Sequence, residues 1–158
     1  MLKGGLPEMV GAVIIAHSSV GKGLLGTAEY IVGKIEGITS VCIVYETNVF
    51  EARKKISEAI NEVNEGDGIL LLTDLFGGSP SNIAFSFLNN GKVEVVTGVN
   101  LPMILTFWAK RANTPLHEIA KYVQLSGTRG IARARDLMEA KGTFGRGTRT
   151  RDKQLSQK

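Results

Sequence analysis

Short apolar runs alternate with longer amphipathic segments along most of this chain. The runs are rich in β-branched residues and are bounded by glycine or polar residues, which is typical of strands buried in a parallel sheet. They are Val10–Ala16, Val41–Tyr45, Ile69–Thr73 and Val93–Thr97. After each run, apolar residues recur at helical spacing with polar residues between them. The pattern predicts four strands separated by helices.

The amphipathic segments predict the positions of the helices. Ser79 is expected to cap the helix after the third strand, with Pro80 at its first helical position. Helices are predicted over about residues 24–35, 49–64, 79–91, 102–111 and 115–126, and a short final strand is predicted over residues 130–132.

This order of elements predicts an α/β fold with an open, mostly parallel sheet and helices on both faces. In such sheets, ligands and reacting groups collect at the carboxyl ends of the strands. Candidate chemistry is therefore expected where each apolar run stops.

Charge is distributed unevenly along the chain. The sequence carries a formal net charge of +4, whereas residues 141–158 hold six basic residues and one aspartate and so carry +5. The remaining 140 residues therefore carry −1, which gives no reason to expect the folded body to bind nucleic acid. The basic segment has few large apolar residues and is predicted to be a disordered tail.

Length and hydropathy indicate one soluble domain in the 158 residues. We expect residues 1–8 to be an N-terminal extension, residues 9–140 the folded domain and residues 141–158 the tail. No apolar run approaches the about 20 residues that cross a bilayer, and the start of the chain lacks a secretory signal. The single cysteine, Cys42, cannot form an intramolecular disulfide. A cytoplasmic location is therefore expected.

A histidine and a carboxylate follow two of the predicted strands. His17 ends the first, and Asp74 comes directly after the third. At a shared sheet edge, the carboxylate would accept a hydrogen bond from one ring nitrogen and leave a lone pair on the other, as attack on phosphorus requires. Alternatively, His17 is simply held by the next turn, and Asp74 stabilises a helix start. The residues by themselves leave both interpretations open.

Gly77, Gly78 and Ser79 lie just downstream of Asp74. Glycines at a helix start leave backbone N–H groups unobstructed, which suits an incoming phosphate. A tight turn followed by a capping serine explains the same residues equally well. The loop Gly98–Asn100 is expected to lie beside this segment.

Other polar features are less informative. Residues 16–23 partly match a nucleotide-binding loop, but Gly23 stands where a magnesium-binding Ser or Thr is needed. His117 lies on the polar side of a predicted helix and is interpreted as a surface residue. One cysteine and two distant histidines make no credible zinc site. Neither a metal nor a cofactor is expected.

Three segments together resemble the IIA component of the mannose family of the phosphoenolpyruvate:sugar phosphotransferase system. They read AVIIAHSSVGKGLLGTAEYIVG, ILLLTDLFGGSPSNIA and VVTGVNLPMIL, and the resemblance covers about residues 10–135. It implies that His17 is the phosphorylated histidine, that Asp74 orients it, and that Ser79 is the active-site serine.

The resemblance also implies partners. Members of this family are phosphotransferases that accept a phosphoryl group from the phosphocarrier protein HPr and pass it to a IIB component. They meet the membrane permease only through other subunits. They are homodimers that exchange a C-terminal edge strand, here expected within residues 129–135. Because the sequence contains no IIB domain, we expect the acceptor to be a separate protein.

Departures from the family pattern keep alternatives open. Leu75 stands where the family often has a threonine next to the aspartate, so one hydroxyl near the phosphate is lost. The absence of a IIB domain also fits a regulatory module whose phosphorylation state is read by a kinase or transcription regulator. A nucleotide-binding enzyme is the remote alternative.

Overall fold

A computed structural model describes residues 9–88 and 91–140 of the chain. The strands are β1 (Met9–His17), β2 (Ile38–Ile43), β3 (Gly66–Thr73) and β4 (Val93–Thr97). The helices are α1 (Val20–Val32), α2 (Val49–Val63), α3 (Ser79–Phe85), α4 (Leu101–Lys110), α5 (Leu116–Arg129) and α6 (Ala134–Ala140). The predicted extension and tail lie outside the described residues.

The strands form one parallel sheet in the order β2-β1-β3-β4. The central strands β1 and β3 are the most apolar, and Val10 to Ala16 are all fully or almost fully buried. The edge strands β2 and β4 retain partly exposed residues. The strands that are apolar on both faces therefore lie at the centre of the sheet, because the central strands are covered on both sides.

Helices cover both faces, which confirms the predicted fold class. Alternate residues of β1 point to opposite sides, so Ala12 and Ile14 join one core while Val13 and Ile15 join the other. The first core includes Phe107 of α4 together with residues of α1 and α5. The second lies under α2 and α3. His17 continues the odd-numbered side of β1 and therefore belongs to the face covered by α2 and α3.

Several predicted boundaries were wrong. Strand β2 begins at Ile38 rather than Val41, and α3 ends at Phe85, well before residue 91. Ser79 is the first residue of α3, and Gly78 occupies the N-cap position, with an extended backbone and no side chain to accept a hydrogen bond from the first turn. Because a serine and a glycine are both suited to that position, the local sequence does not distinguish them.

The expected final strand does not form within its own chain. Helix α5 continues to Arg129, and the Gly130 N–H donates to the Ser126 carbonyl at 2.9 Å. Residues 131–133 have no regular structure, and α6 follows with no buried residue. Exchange of this segment with a second subunit stays a prediction, since a single chain does not test it.

One buried arginine joins the amino ends of three strands. Arg111 caps the end of α4, and its Nε donates to the carbonyl of Val10 in β1 at 3.0 Å. The guanidinium also donates to the carbonyl of Glu36, before β2, and to Glu65 Oε1, before β3, the latter at 2.6 Å. The Arg111 side chain is 7% exposed. Its charge is therefore almost fully buried, and an ion pair and two backbone carbonyls compensate for the loss of water.

Candidate functional site

His17 lies where β1 leaves the core. The seven residues before it are buried, whereas its own side chain is 47% exposed. It pairs in register with Ile43, the last residue of β2, so the carboxyl ends of the two strands meet beside it. The parallel sheet thus presents one imidazole at its carboxyl edge.

Asp74 holds this imidazole from the neighbouring strand. Asp74 Oδ2 lies 2.9 Å from His17 Nδ1, and the same oxygen accepts the backbone N–H of His17 at 2.8 Å. The Asp74 side chain is only 14% exposed, so water competes weakly for this contact. When the ring is neutral, this bond favours the proton on Nδ1 and leaves the lone pair on Nε2. The two predicted site residues are therefore brought together with one ring nitrogen unengaged by the carboxylate.

The glycine segment approaches the other side of the ring. A Cβ placed on Gly78 would lie 3.1 Å from His17 Cε1 and 3.7 Å from Nε2. Gly77 adopts a left-handed conformation (φ 80°), which lets the chain turn sharply between Asp74 and α3. Ser81 donates through its hydroxyl to the Gly78 carbonyl at 2.9 Å, which fixes the turn. The lack of a side chain on Gly78 allows this close approach.

A cavity of about 530 Å³ opens beside His17. Ser79, at the start of α3, lines it together with His17. The end of β2 and the segment that joins it to α2 also line the cavity, which the sequence analysis missed; these residues are Ile43, Val44, Tyr45, Thr47 and Val49. Because β2 is the neighbour of β1 in the sheet, its carboxyl end shares this edge. The strand order would have revealed this, but the apolar pattern does not give strand order.

The loop Gly98–Asn100 is hydrogen-bonded to neighbouring parts of the fold. Val99 donates its N–H to the Thr73 carbonyl at 2.9 Å, and the Asn100 side chain accepts from Met103 as the N-cap of α4. Asn100 also donates to the Gly127 carbonyl in α5 at 3.1 Å. None of the three loop residues lines the cavity beside His17. The loop therefore supports the fold behind the site.

Large apolar side chains are exposed in the segments that contribute to this site. Tyr45, Phe50, Leu75 and Phe76 are each more than half exposed, and we call these four residues the apolar rim. Tyr45 lines the cavity, Phe50 follows the cavity residue Val49, and Leu75 and Phe76 follow Asp74. Exposed apolar groups that cluster around a polar centre are typical of a surface that binds another protein.

Two buried polar atoms at this edge have no hydrogen-bond partner within residues 9–88 and 91–140. They are Thr73 Oγ1 and Asp74 Oδ1. An unpartnered buried polar atom lowers stability, and such exceptions concentrate at functional sites. The buried polar atoms at the carboxyl end of β3 therefore make fewer hydrogen bonds than those at a purely structural strand end.

The second histidine lies elsewhere. His117, at the start of α5, is exposed, and its Nε2 lies 4.0 Å from Glu118 Oε1. It lines a separate cavity with Asp67, close to the amino end of β3. The structure thus places it at the opposite edge of the sheet from His17.

The described residues contain no group of three or more His, Cys, Asp or Glu side chains arranged to hold a metal ion. Over the same part of the chain, no helix is both long and apolar enough to span a membrane.

Known proteins are similar to this chain in sequence and in architecture. Residues 11–124 match the EIIA-man family, described as the fructose IIA component of the phosphotransferase system (PTS). The fructose-specific EIIA component of Bacillus subtilis (strain 168) is 23% identical over 142 residues, which cover 89% of this chain and 97% of that protein.

Two further proteins extend the comparison. The mannose-specific EIIAB component of Escherichia coli (strain K12) is 28% identical over 124 residues, or 77% of this chain. This match covers 38% of the E. coli protein. The crystal structure of phosphotransferase system component EIIA from Streptococcus agalactiae superposes with a TM-score of 0.72 at 25% identity, covering 79% of this chain and 97% of that one.

Proposed function

The chain belongs to the EIIA-man family of phosphotransferase-system IIA components, and we propose that it carries the phosphoryl group on His17. Membership implies a phosphoryl carrier of a sugar phosphotransferase system. The proposal adds that HPr is the donor, that a IIB component is the acceptor, and that the protein acts as a cytoplasmic phosphotransferase.

The contact between His17 and Asp74 carries this proposal. A bond of 2.9 Å from Nδ1 to the carboxylate leaves Nε2 as the nucleophile. As the lone pair of Nε2 forms a bond to phosphorus, the bond between phosphorus and the donor histidine breaks, and its electron pair returns to the donor ring. The imidazole gains positive charge during attack, and the Asp74 carboxylate stabilises that charge. Transfer to the acceptor is the same step in reverse, with the acceptor as nucleophile.

Gly77, Gly78 and Ser79 are proposed to bind the phosphoryl group. Gly78 lies against the ring edge, and Ser79 lines the same cavity as His17. Backbone N–H groups and a hydroxyl at this position would donate to phosphoryl oxygens, whose negative charge develops during transfer. Neither a metal ion nor a cofactor is needed on this chain in the proposed step, because a phosphohistidine donor supplies the activated group.

The apolar rim is the proposed docking surface for the donor and the acceptor. Tyr45 lines the cavity, and the other three exposed side chains follow Val49 or Asp74 in the sequence, so a protein bound there would exclude water from the reacting atoms. The mannose-specific relative in E. coli is named as an EIIAB component, and this chain matches 38% of its length. We propose that a IIB component is the protein that accepts the phosphoryl group from His17.

A homodimer is also proposed. The exposed α6 and the partly exposed edge strand β4 offer surface for a second subunit, in keeping with the exchange expected from the family resemblance. A chain ending at Gly130 would keep α5 whole and remove residues 131–135 of the segment that is expected to be exchanged. Light scattering should give the mass of a dimer for the full chain and of a monomer for the shortened one.

Phosphotransfer from phosphoenolpyruvate, enzyme I and HPr tests the function directly. The chain should gain one phosphoryl group with an acid-labile, base-stable linkage, as expected of a phosphohistidine. His17→Ala should abolish labelling, and His117→Ala should leave it unchanged. Label that survives in His17→Ala would exclude His17 as the carrier.

The regulatory alternative differs at the second step. A carrier should lose its label within seconds when a cognate IIB component is added. A purely regulatory module would be phosphorylated by HPr and would retain the label.

A further inference from the structure

Ser18 has an unusual backbone conformation next to the proposed nucleophile. Its φ angle is 49°, and among residues 9–88 and 91–140 it is the only non-glycine residue with positive φ. This conformation is strained for a serine, and such strain tends to occur at functional sites. The Ser18 N–H donates to the Ile43 carbonyl at 3.1 Å, so the end of β2 holds the turn in place.

The turn brings Ser18 to the same cavity as His17. Side chains alternate along a strand, so an extended residue 18 would face the opposite side of the sheet from His17. Instead, Ser18 lines the cavity of about 530 Å³ beside His17 and also a neighbouring cavity of about 280 Å³. The residue is exposed, which leaves its hydroxyl accessible to a group bound in the first cavity.

Leu75 leaves the site without one hydrogen-bond donor that Ser18 can supply. The side chain directly after Asp74 is apolar and 58% exposed, so it supplies no hydrogen-bond donor to the site. Ser18 supplies a hydroxyl from the β1 side, whereas Ser79 lies on the α3 side of the cavity. Two hydroxyls would then reach a phosphoryl group on Nε2 from different directions.

We propose that Ser18 is a further catalytic residue, whose hydroxyl donates a hydrogen bond to a phosphoryl oxygen as the group binds to His17 Nε2. This inference rests on the proposed function. During transfer, the bond from phosphorus to the donor nitrogen breaks, the bond to Nε2 forms, and negative charge spreads over three phosphoryl oxygens. The Ser18 proton stays on its own oxygen throughout, so the residue stabilises charge without exchanging a proton.

Two substitutions separate the hydroxyl from the backbone. Ser18→Gly removes the hydroxyl and also relieves the left-handed conformation, whereas Ser18→Ala removes the hydroxyl and keeps the strain. Ser19→Ala is the matched control, because Ser19 caps α1 without a side-chain bond and lines only the neighbouring cavity.

The full chain would be phosphorylated with phosphoramidate, a small donor that needs no protein contact, and in parallel with HPr. Attack by Nε2 on phosphoramidate releases ammonia and gives the same phosphohistidine. Both Ser18 variants should be phosphorylated about tenfold more slowly by either donor, because a hydrogen bond to a charged group is lost. Ser19→Ala should stay within about twofold of wild type. Ser18→Gly should be at least as stable to heat as wild type.

A spectroscopic measurement completes the test. The ³¹P resonance of phospho-His17 should shift in Ser18→Gly and stay unchanged in Ser19→Ala. Wild-type rates in both Ser18 variants would overturn the role of Ser18 and leave the proposed function intact. Wild-type rates in Ser18→Gly with slow transfer in Ser18→Ala would also overturn it, since backbone geometry alone would then matter. If neither donor phosphorylated wild-type His17, the proposed function and this inference would both fail.

Discussion

The two ends of β1 each lie beside a contact between a basic side chain and a carboxylate, and the two contacts differ in burial and in the number of hydrogen bonds that the basic group makes. At the amino end, the Arg111 side chain is 7% exposed, and its guanidinium donates to two carbonyls as well as to Glu65. At the carboxyl end, the His17 side chain is 47% exposed, and Asp74 is its one charged partner among residues 9–88 and 91–140. The first contact joins segments of the fold, and the second positions a reactive ring.

This difference separates stability from reactivity within one strand. A buried guanidinium with its donors engaged stabilises the fold and has no lone pair to react. A half-exposed imidazole that is held through one nitrogen can meet a partner protein with the other. The two unpartnered buried atoms at the described strand ends, Thr73 Oγ1 and Asp74 Oδ1, both lie at the reactive end. The stability lost there is tolerable because the opposite end is well satisfied.

The largest effect is expected at the reactive end. In Asp74→Asn, an amide replaces the acceptor of the Nδ1 proton and permits the wrong tautomer of His17. Phosphoryl acceptance from HPr should slow by about 100- to 10,000-fold, as when the carboxylate of other histidine sites is replaced. Rapid-quench labelling measures the rate, and circular dichroism should show an intact fold. A wild-type rate in the folded variant would remove Asp74 from the mechanism.

At the structural end, the effect should be on unfolding instead. Arg111→Met leaves the Glu65 carboxylate and two carbonyls without their donor, which should lower the free energy of unfolding by about 3 kcal/mol. Urea titration followed by circular dichroism measures this loss. Arg133→Met is the matched control, because Arg133 pairs with Asp136 on the exposed surface and its loss should leave the unfolding midpoint unchanged. An unaltered midpoint in Arg111→Met would contradict the role of the buried arginine.

A smaller effect on transfer is expected from Gly78→Ala. The added methyl group would lie 3.1 Å from His17 Cε1, so the ring must move by a few tenths of an ångström. We expect about a tenfold slower transfer with little change in stability, since misplaced reacting groups reduce rates steeply. Gly26→Ala adds the same methyl group to α1, where nothing lies within 4 Å, and should transfer at the wild-type rate. Equal rates in both variants would show that the contact does not restrain the ring.

The smallest effect is expected at the apolar rim. Tyr45 is fully exposed in the free chain, so Tyr45→Ala should cost nothing in folding and about 1 kcal/mol in binding HPr, or about fivefold in Kd. Tyr30→Ala provides the control, because Tyr30 is 91% exposed on α1 and lines none of the cavities described above. Isothermal titration calorimetry measures both. Equal affinities would place the docking surface elsewhere.

The sequence predicted the reactive end better than the structural end. Strands that are apolar on both faces are recognisable in one dimension, and their carboxyl ends mark where His17 and Asp74 meet. Arg111 follows an ordinary amphipathic helix and looks like any basic residue at a helix end. Its three acceptors, at Val10, Glu36 and Glu65, come from distant parts of the chain. Such a buried contact leaves no local pattern.

Strand order explains the remaining gap at the site. Tyr45 and Thr47 line the cavity because β2 lies next to β1, and hydropathy does not specify neighbours. The N-cap of α3 was predicted at Ser79 but lies at Gly78, because both residues meet the conformational requirement of that position. The positive φ of Ser18 had no sequence signal either, since serine rarely adopts it.

The number of residues in β1 determines which face of the sheet His17 occupies. Arg111 fixes the strand at Val10, and Asp74 fixes it at His17, so the number of residues between these anchors decides which face the imidazole occupies. Inserting one residue would turn the ring to the face covered by α1, α4 and α5. Inserting two would restore the face but carry the ring about 7 Å beyond the carboxylate. The length of this strand is therefore as much a determinant of the site as the identity of its last residue.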